Sequence, residues 1–146
     1  MIINKDQTPN AQYVGDVKAN ADQICAYMEK ADAQNADIVL FPELCLTGYT
    51  CGDLFFQDAL LNAVKAGLRQ ITDCSAKLPG LTAVVGFPLR VGTKVYNCAA
   101  VINRGQVSGI VPKTYLTDSE KRWFVSGADL KETAAGLDVF GNDEFG

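Results

Sequence analysis

The sequence predicts an α/β fold built on a sheet with short connections. Three observations point there. Two continuous apolar runs, Ile38 to Phe41 and Leu81 to Phe87, are each closed by a proline, the pattern of short strands in a sheet covered on both faces. A long segment with helical apolar spacing precedes each run, with only a short link between them. After the second run the pattern changes to a meander of strands separated by turn residues.

The elements follow in order. The first dozen residues carry little pattern. Asp16 is placed as an N-cap, and behind it Val17, Ala21, Ile24, Cys25 and Met28 line one helix face. Asn35 is a helix stop. A strand over 37–41 comes next and should end at Pro42, which cannot donate to a ladder. Gly48 and Gly52 bend the following loop. Asp53 is expected to cap a second helix carrying Leu54, Leu61, Val64, Leu68 and Ile71 on its apolar side, ended by Leu78-Pro79-Gly80. The strand over 81–87 should stop at Pro88. Gly92-Thr93 turns between 89–91 and a longer strand over 95–102. Asn103-Arg104-Gly105-Gln106 reads as a hairpin turn, and 107–111 returns antiparallel. There is no repeat, low-complexity tract or linker, and 146 residues make one domain with a proper core.

Composition removes several function classes. A net charge of −4 argues against nucleic acid or an anionic membrane as partner. No apolar run approaches the roughly 20 residues of a membrane helix, and the first residues lack the order of a signal peptide. The reading is a cytoplasmic protein. There is no histidine, so Ser-His-Asp and Cys-His catalysis within this chain are excluded. The five cysteines, at 25, 45, 51, 74 and 98, show no zinc spacing and no disulfide framework. No metal site is expected. Cys25, Cys74 and Cys98 are read as small core residues.

Two residues stand where chemistry is done in an open sheet, at the carboxyl end of a strand. Glu43 follows Pro42 behind the first apolar run. Carboxylates held behind such runs are partly desolvated, which makes them better proton acceptors near neutral pH. The plainer alternative is an acid that opens a loop and faces water. Lys113 follows Pro112 behind the last strand, where an ammonium could stabilise the oxyanion formed when a nucleophile adds to a carboxamide. Its plainer alternative is a surface lysine.

The residues around both positions carry more than their spacing. Phe41-Pro42-Glu43-Leu44 with Thr47-Gly48-Tyr49 resembles the catalytic-glutamate segment of the carbon–nitrogen hydrolase (nitrilase) superfamily. Tyr96-Asn97 and Pro112-Lys113-Thr114-Tyr115-Leu116 resemble its lysine region. Asp53-Leu54, Gly86-Phe87-Pro88-Leu89-Arg90 and Glu120-Lys121-Arg122-Trp123-Phe124 narrow the likeness to the N-terminal glutaminase domain of bacterial glutamine-dependent NAD synthetases. The likeness runs from about Val14 to Asp143 and covers the front part of that domain.

The resemblance implies a four-layer αββα sandwich of the nitrilase type, present in part, with residues 1–146 forming the first part of the domain and the synthetase domain absent. It implies Glu43 as general base, Lys113 as oxyanion partner, and Tyr49 and Glu120 at the substrate. The substrate is then glutamine, whose ammonia would pass to the synthetase domain for amidation of deamido-NAD. No cofactor is implied for the glutaminase step, and ATP and Mg belong to the synthetase domain. A homo-oligomer is expected. The alternatives are a stand-alone amidase of the superfamily and a non-catalytic structural or oligomer-forming module.

The chain departs from the family pattern in two places. The family's nucleophilic cysteine lies in a strand after the lysine, and no cysteine follows Cys98; a truncated, inactive fragment is expected, with Cys45 and Cys51 as weaker candidates. In addition, only Thr117-Asp118-Ser119 separate Leu116 from Glu120, where the family has a longer loop bearing a further glutamate. Either Glu120 replaces that residue or it is a solvent-facing acid at a helix start. Clean matches on both sides lead us to expect an interruption of the chain here, with similar ones near the first ten residues and at Ala135-Gly136.

Overall fold

The computed structural model describes residues 14–129. The expectations for the first dozen residues and for Ala135-Gly136 lie outside that range.

Helix α1 (Val17–Ala33) starts at the expected cap, with the Asp16 carboxylate accepting the Ala19 N–H at 3.1 Å. Its stripe buries Val17, Ala21, Ile24 and Met28, while Cys25 stays half-buried. The chain leaves the helix through Asn35 at φ 60, a left-handed position that asparagine tolerates. Strand β1 (Ile38–Leu40) follows. Next come a 3-10 turn over Gly52–Phe56 and helix α2 (Asp58–Ala76). Asp53 does not cap α2. The 3-10 turn sets it before the helix, and its carboxylate instead accepts the Trp123 indole N–H at 3.2 Å. Gln57 occupies the cap position without a side-chain bond.

Strands β2 (Thr82–Val91), β3 (Lys94–Asn103) and β4 (Gln106–Pro112) complete a four-stranded sheet in the order β1-β2-β3-β4. β1 pairs parallel with β2 through the α2 crossover; the other pairs are antiparallel. Pro88 does not end β2. It pairs with Asn97, and because β1 stops opposite Val84, β2 has a neighbour on one side only at that point. A proline on such an open edge removes no ladder bond. The Gly92-Thr93 and Arg104-Gly105 turns are as expected, with Arg104 and Gly105 both at positive φ. The second turn is tied to α2 by the Gly105 N–H donating to Ser75 Oγ at 2.9 Å.

Both helices lie on one face of the sheet. Val39, Ala83 and Ile102 form one row across three strands and are fully buried, as are Val85 and Ala100 in the next row. The opposite face carries Ile38 and Leu40 of β1 and Val111 of β4, exposed by 50%, 38% and 61%. The expectation of a first strand covered on both faces is therefore corrected: among the described residues an α layer covers one face, while the other is open at Ile38, Leu40 and Val111 and closed only over Gly86 and Asn97. These are an α layer and a β layer of a nitrilase-type α/β fold.

The fold places Glu43 by a close backbone approach. After Pro42 the chain turns over Leu44, which is fully buried at φ 52. A left-handed leucine is strained and persists only where packing over-determines it. The Cys45 N–H donates to Pro42 O, the Gly48 N–H to Leu44 O, and the Leu46 N–H to Gly86 O. A Cβ at Gly86 would lie 2.5 Å from Leu44 N and 3.0 Å from Pro42 O. Only glycine lets β2 and the Glu43 loop come this close. Gly86→Ala should therefore lower stability by about 1–3 kcal/mol. Urea unfolding checks this: the midpoint should fall at unchanged slope, and an unchanged midpoint would show that the loop has room to move.

Candidate active site

Three segments deliver the charged residues, one of them 70 residues or more from the other two. Glu43 comes from the loop after β1. Lys113 follows Pro112 at the end of β4, its N–H donating to Asn97 O at 2.7 Å and so extending the β3–β4 ladder by one step. Glu120 opens a short 3-10 turn, Glu120–Arg122. That turn is pinned by Phe124, which packs with Phe55 of the preceding 3-10 turn at 4.8 Å between ring centroids. Both rings are buried.

Lys113 is the meeting point. Its Nζ donates to Glu43 Oε1 and to Glu120 Oε1, both at 2.9 Å. Glu120 Oε1 also accepts from the Tyr49 hydroxyl at 2.7 Å, and Glu120 Oε2 from the Thr117 N–H at 2.8 Å. Glu43 Oε1 also accepts from Asn97 Nδ2. The structure thus brings together all four residues singled out in the sequence, and adds Asn97 and Thr117.

Exposure separates the two acids. The Glu120 side chain is 4% exposed, Lys113 34% and Glu43 42%. Glu43 is more open than the sequence suggests, because its side chain lines a groove of about 310 Å³ on the uncovered face, with Phe41, Val84, Asn97, Val111 and Lys113. Glu120 is not a solvent-facing acid. It lies on the far side of Lys113, with its oxygens already bonded. The expected interruption between Leu116 and Glu120 is absent. Thr117 to Glu120 form a closed turn, with the Glu120 N–H donating back to Thr117 Oγ1 at 3.3 Å. This Thr-x-x-Glu reciprocity is a capping box, and it satisfies a short link without any longer loop.

The electrostatics follow from the contacts. Burial acts to raise the Glu120 carboxyl, but the bonds from Tyr49, Thr117 and Lys113 outweigh it and hold the carboxyl at about 2. Burial acts to lower the Lys113 ammonium, but the hydrogen bonds and charges of Glu43 and Glu120 outweigh it, so the ammonium is raised above the usual lysine value. The Tyr49 phenol is raised, chiefly because it donates to Glu120.

No described thiol is poised at this site. Burial pushes Cys45 and Cys98 up to about 12 and also raises Cys51. Cys45 donates to Gly86 O and Cys51 to Thr47 O, so the first thiol points into the β2 backbone and the second into its own loop. Cys98 is buried on the groove wall. Cys25 and Cys74 hydrogen-bond to each other, far from Lys113 in the helix layer. Among the described residues no group of three His, Cys, Asp or Glu side chains could hold a metal ion, and no helix is long and apolar enough to cross a membrane.

Asn97 and the capping box were the residues that position-by-position reasoning missed. The Thr117-x-x-Glu120 pattern is visible in the sequence; the reach of Asn97 across 54 residues to Glu43 is not.

Comparison with known proteins bears on the family and the fold. The carbon-nitrogen hydrolase family model matches residues 7–139. The glutamine-dependent NAD(+) synthetase of Mycobacterium bovis is 40% identical over 138 residues, covering 89% of this chain and 20% of that protein. A crystal structure of a glutamine-dependent NAD(+) synthetase from Cytophaga hutchinsonii superposes with a TM-score of 0.71 at 31% identity, over 80% of this chain and 20% of that one. An amidase of the nitrilase superfamily from Nesterenkonia AN1 shares the fold, with a TM-score of 0.73 at 22% identity over 86% of this chain and 47% of that one. The chain therefore spans about a fifth of the synthetases it matches.

The Glu120 contacts carry a pH prediction. Its folded-state value lies below the ordinary 4.5, so its contribution to stability is full above about 4.5 and is lost as pH falls towards about 2. Glu120→Gln should lower stability at neutral pH and flatten the decline over that acid window. Melting temperatures from pH 2 to 7 check it; a mutant with the same acid limb as the parent would place the linkage elsewhere.

Proposed function

The chain belongs to the carbon–nitrogen hydrolase family, and on that premise we propose that it carries the acid–base half of a glutaminase site. The single observation that supports this most is the Lys113 ammonium held between Glu43 and Glu120 at 2.9 Å from each. A general base and an oxyanion donor side by side, at the edge of a groove, are what amide hydrolysis by a thiol requires.

In this reading Glu43 takes the proton from an attacking thiol. The thiolate adds to the carboxamide carbon of glutamine, and the carbonyl oxygen, gaining the electron pair, is stabilised by Lys113. The C–N bond then breaks, Glu43 returns the proton to the nitrogen, and ammonia leaves. Water hydrolyses the thioester. Glu120, itself fixed by the Tyr49 hydroxyl and the Thr117 N–H, holds Lys113 from behind. The thiol is supplied by a segment outside these 146 residues, because all five cysteines here are occupied in packing. In this reading the released ammonia serves a synthetase domain that uses ATP and Mg to amidate deamido-NAD; the relatives' names support glutamine dependence and NAD(+) synthesis. Cover for the open sheet face comes from the remainder of such a protein. The matched amidase favours a second reading, a stand-alone amidase acting on another small amide.

The test is ammonia release from glutamine, by the 146-residue chain and by a longer form extended to the cysteine of a full-length relative. The short chain should be inactive and the long form active. Glu43→Gln or Lys113→Ala in the long form should cost about a hundredfold or more in kcat. Activity in the short chain that Cys45→Ala or Cys51→Ala abolishes would overturn the assignment of the thiol. A long form that hydrolyses other small amides in preference to glutamine would favour the second reading.

A further inference from the structure

We propose that Asn97 is a positioning residue of this site, locking Glu43 to Lys113 through one carboxylate oxygen and leaving the other directed at the groove. The proposal rests on the amide-hydrolase reading and assigns a role to a residue that no catalytic scheme above uses.

Asn97 lies in the middle of β3, 3% exposed, paired with Pro88. It contacts the site twice. Its backbone O accepts the Lys113 N–H at 2.7 Å, and its side-chain Nδ2 donates to Glu43 Oε1. Lys113 Nζ donates to that same Oε1 at 2.9 Å. The three residues thus close a ring of hydrogen bonds through both backbone and side chains. The orientation of the amide follows from chemistry: turned over, it would set Oδ1 against a carboxylate oxygen, two acceptors facing each other.

The ring breaks the symmetry of the carboxylate. Oε1 receives two donors, while Oε2 receives none among the described residues. A carboxylate on a half-exposed loop would otherwise rotate, and ordering it has an entropic cost. Here a rigid strand holds it, so the free oxygen, the one able to take a proton, is directed at the groove that Glu43, Asn97 and Lys113 line. A neutral amide suits this task. A lysine or arginine would add a second cation beside the Lys113 ammonium already on Oε1 and weaken the base further, and an aspartate would repel it.

The test reads Lys113 directly and needs no turnover. The lysines of the 146-residue chain are acylated with an N-hydroxysuccinimide acetate at pH 8 to 9, and each is followed by mass spectrometry, with exposed Lys121 as internal reference. Asn97→Leu is close in volume but has no donor. Glu43 should then swing away, and Lys113, having lost one of the charges that keep it protonated, should react several-fold to about tenfold faster. In a Glu43→Gln background the same substitution should have no further effect. A Lys113 rate within about twofold of the parent would overturn the proposal. So would an equal acceleration with and without Glu43, which marks a packing effect. Asn97→Ser, smaller and with a shorter reach, is read in the same way if the leucine variant does not fold. Failure of ammonia release in the longer form would sink the glutaminase reading but leave this result standing, and uncoupled labelling would sink only the role of Asn97.

Discussion

The structure around the groove depends on one ammonium. Lys113 Nζ sits between two carboxylates carried by segments 70 and 7 residues away from it. Remove its charge and two acids would face each other across a few ångströms, one of them buried. The cost of an unpaired buried carboxylate is several kcal/mol, so Glu120 can be inside only because Lys113, Tyr49 and Thr117 all donate to it. The cluster keeps a net charge of −1, counted as one ammonium against two carboxylates. Of the two acids Glu43 is the more open and the one that lines the groove.

Backbone packing brings these charges together without any histidine. Gly86 lets the Glu43 loop lie against β2, and the strained Leu44 turns Glu43 towards the groove while burying its own side chain. The β3–β4 ladder runs on through Asn97 O to set Lys113. The Phe55–Phe124 contact then brings Glu120 under the lysine. Each charged group is thus fixed by a backbone or aromatic contact outside the cluster. The uncovered sheet face is the counterpart of this design. Ile38, Leu40 and Val111 are apolar residues on a surface, as they would be in one layer of a sandwich considered by itself.

Much of the fold was legible because its signals are local. The cap at Asp16, the helical stripe, the apolar runs and the Arg104-Gly105 turn are each decided within a few residues. What the pattern could not show is decided at long range. Pro88 reads as a strand end, yet whether a proline ends a strand depends on whether a neighbour needs its N–H, and β1 had already stopped. Asp53 reads as a cap, but Trp123 claims it from 70 residues away. Glu43, Lys113, Tyr49 and Glu120 stand in motifs that are readable locally, whereas the burial of Glu120 and the grip of Asn97 on Glu43 exist only once the sheet is assembled. The short link before Glu120 reads as a gap in the sequence, and only the folded turn shows Thr117 and Glu120 closing it as a capping box.

The most direct test of the account is the titration of Lys113 itself, followed by nuclear magnetic resonance of the chain with isotope-labelled lysine side chains. Lys113 is expected to titrate above the ordinary lysine value, and to move down when either Glu43→Gln or Glu120→Gln removes one of its two partners. A Lys113 that titrates at the ordinary value, and is indifferent to both substitutions, would contradict the shared-ammonium site and with it the assignment of this groove.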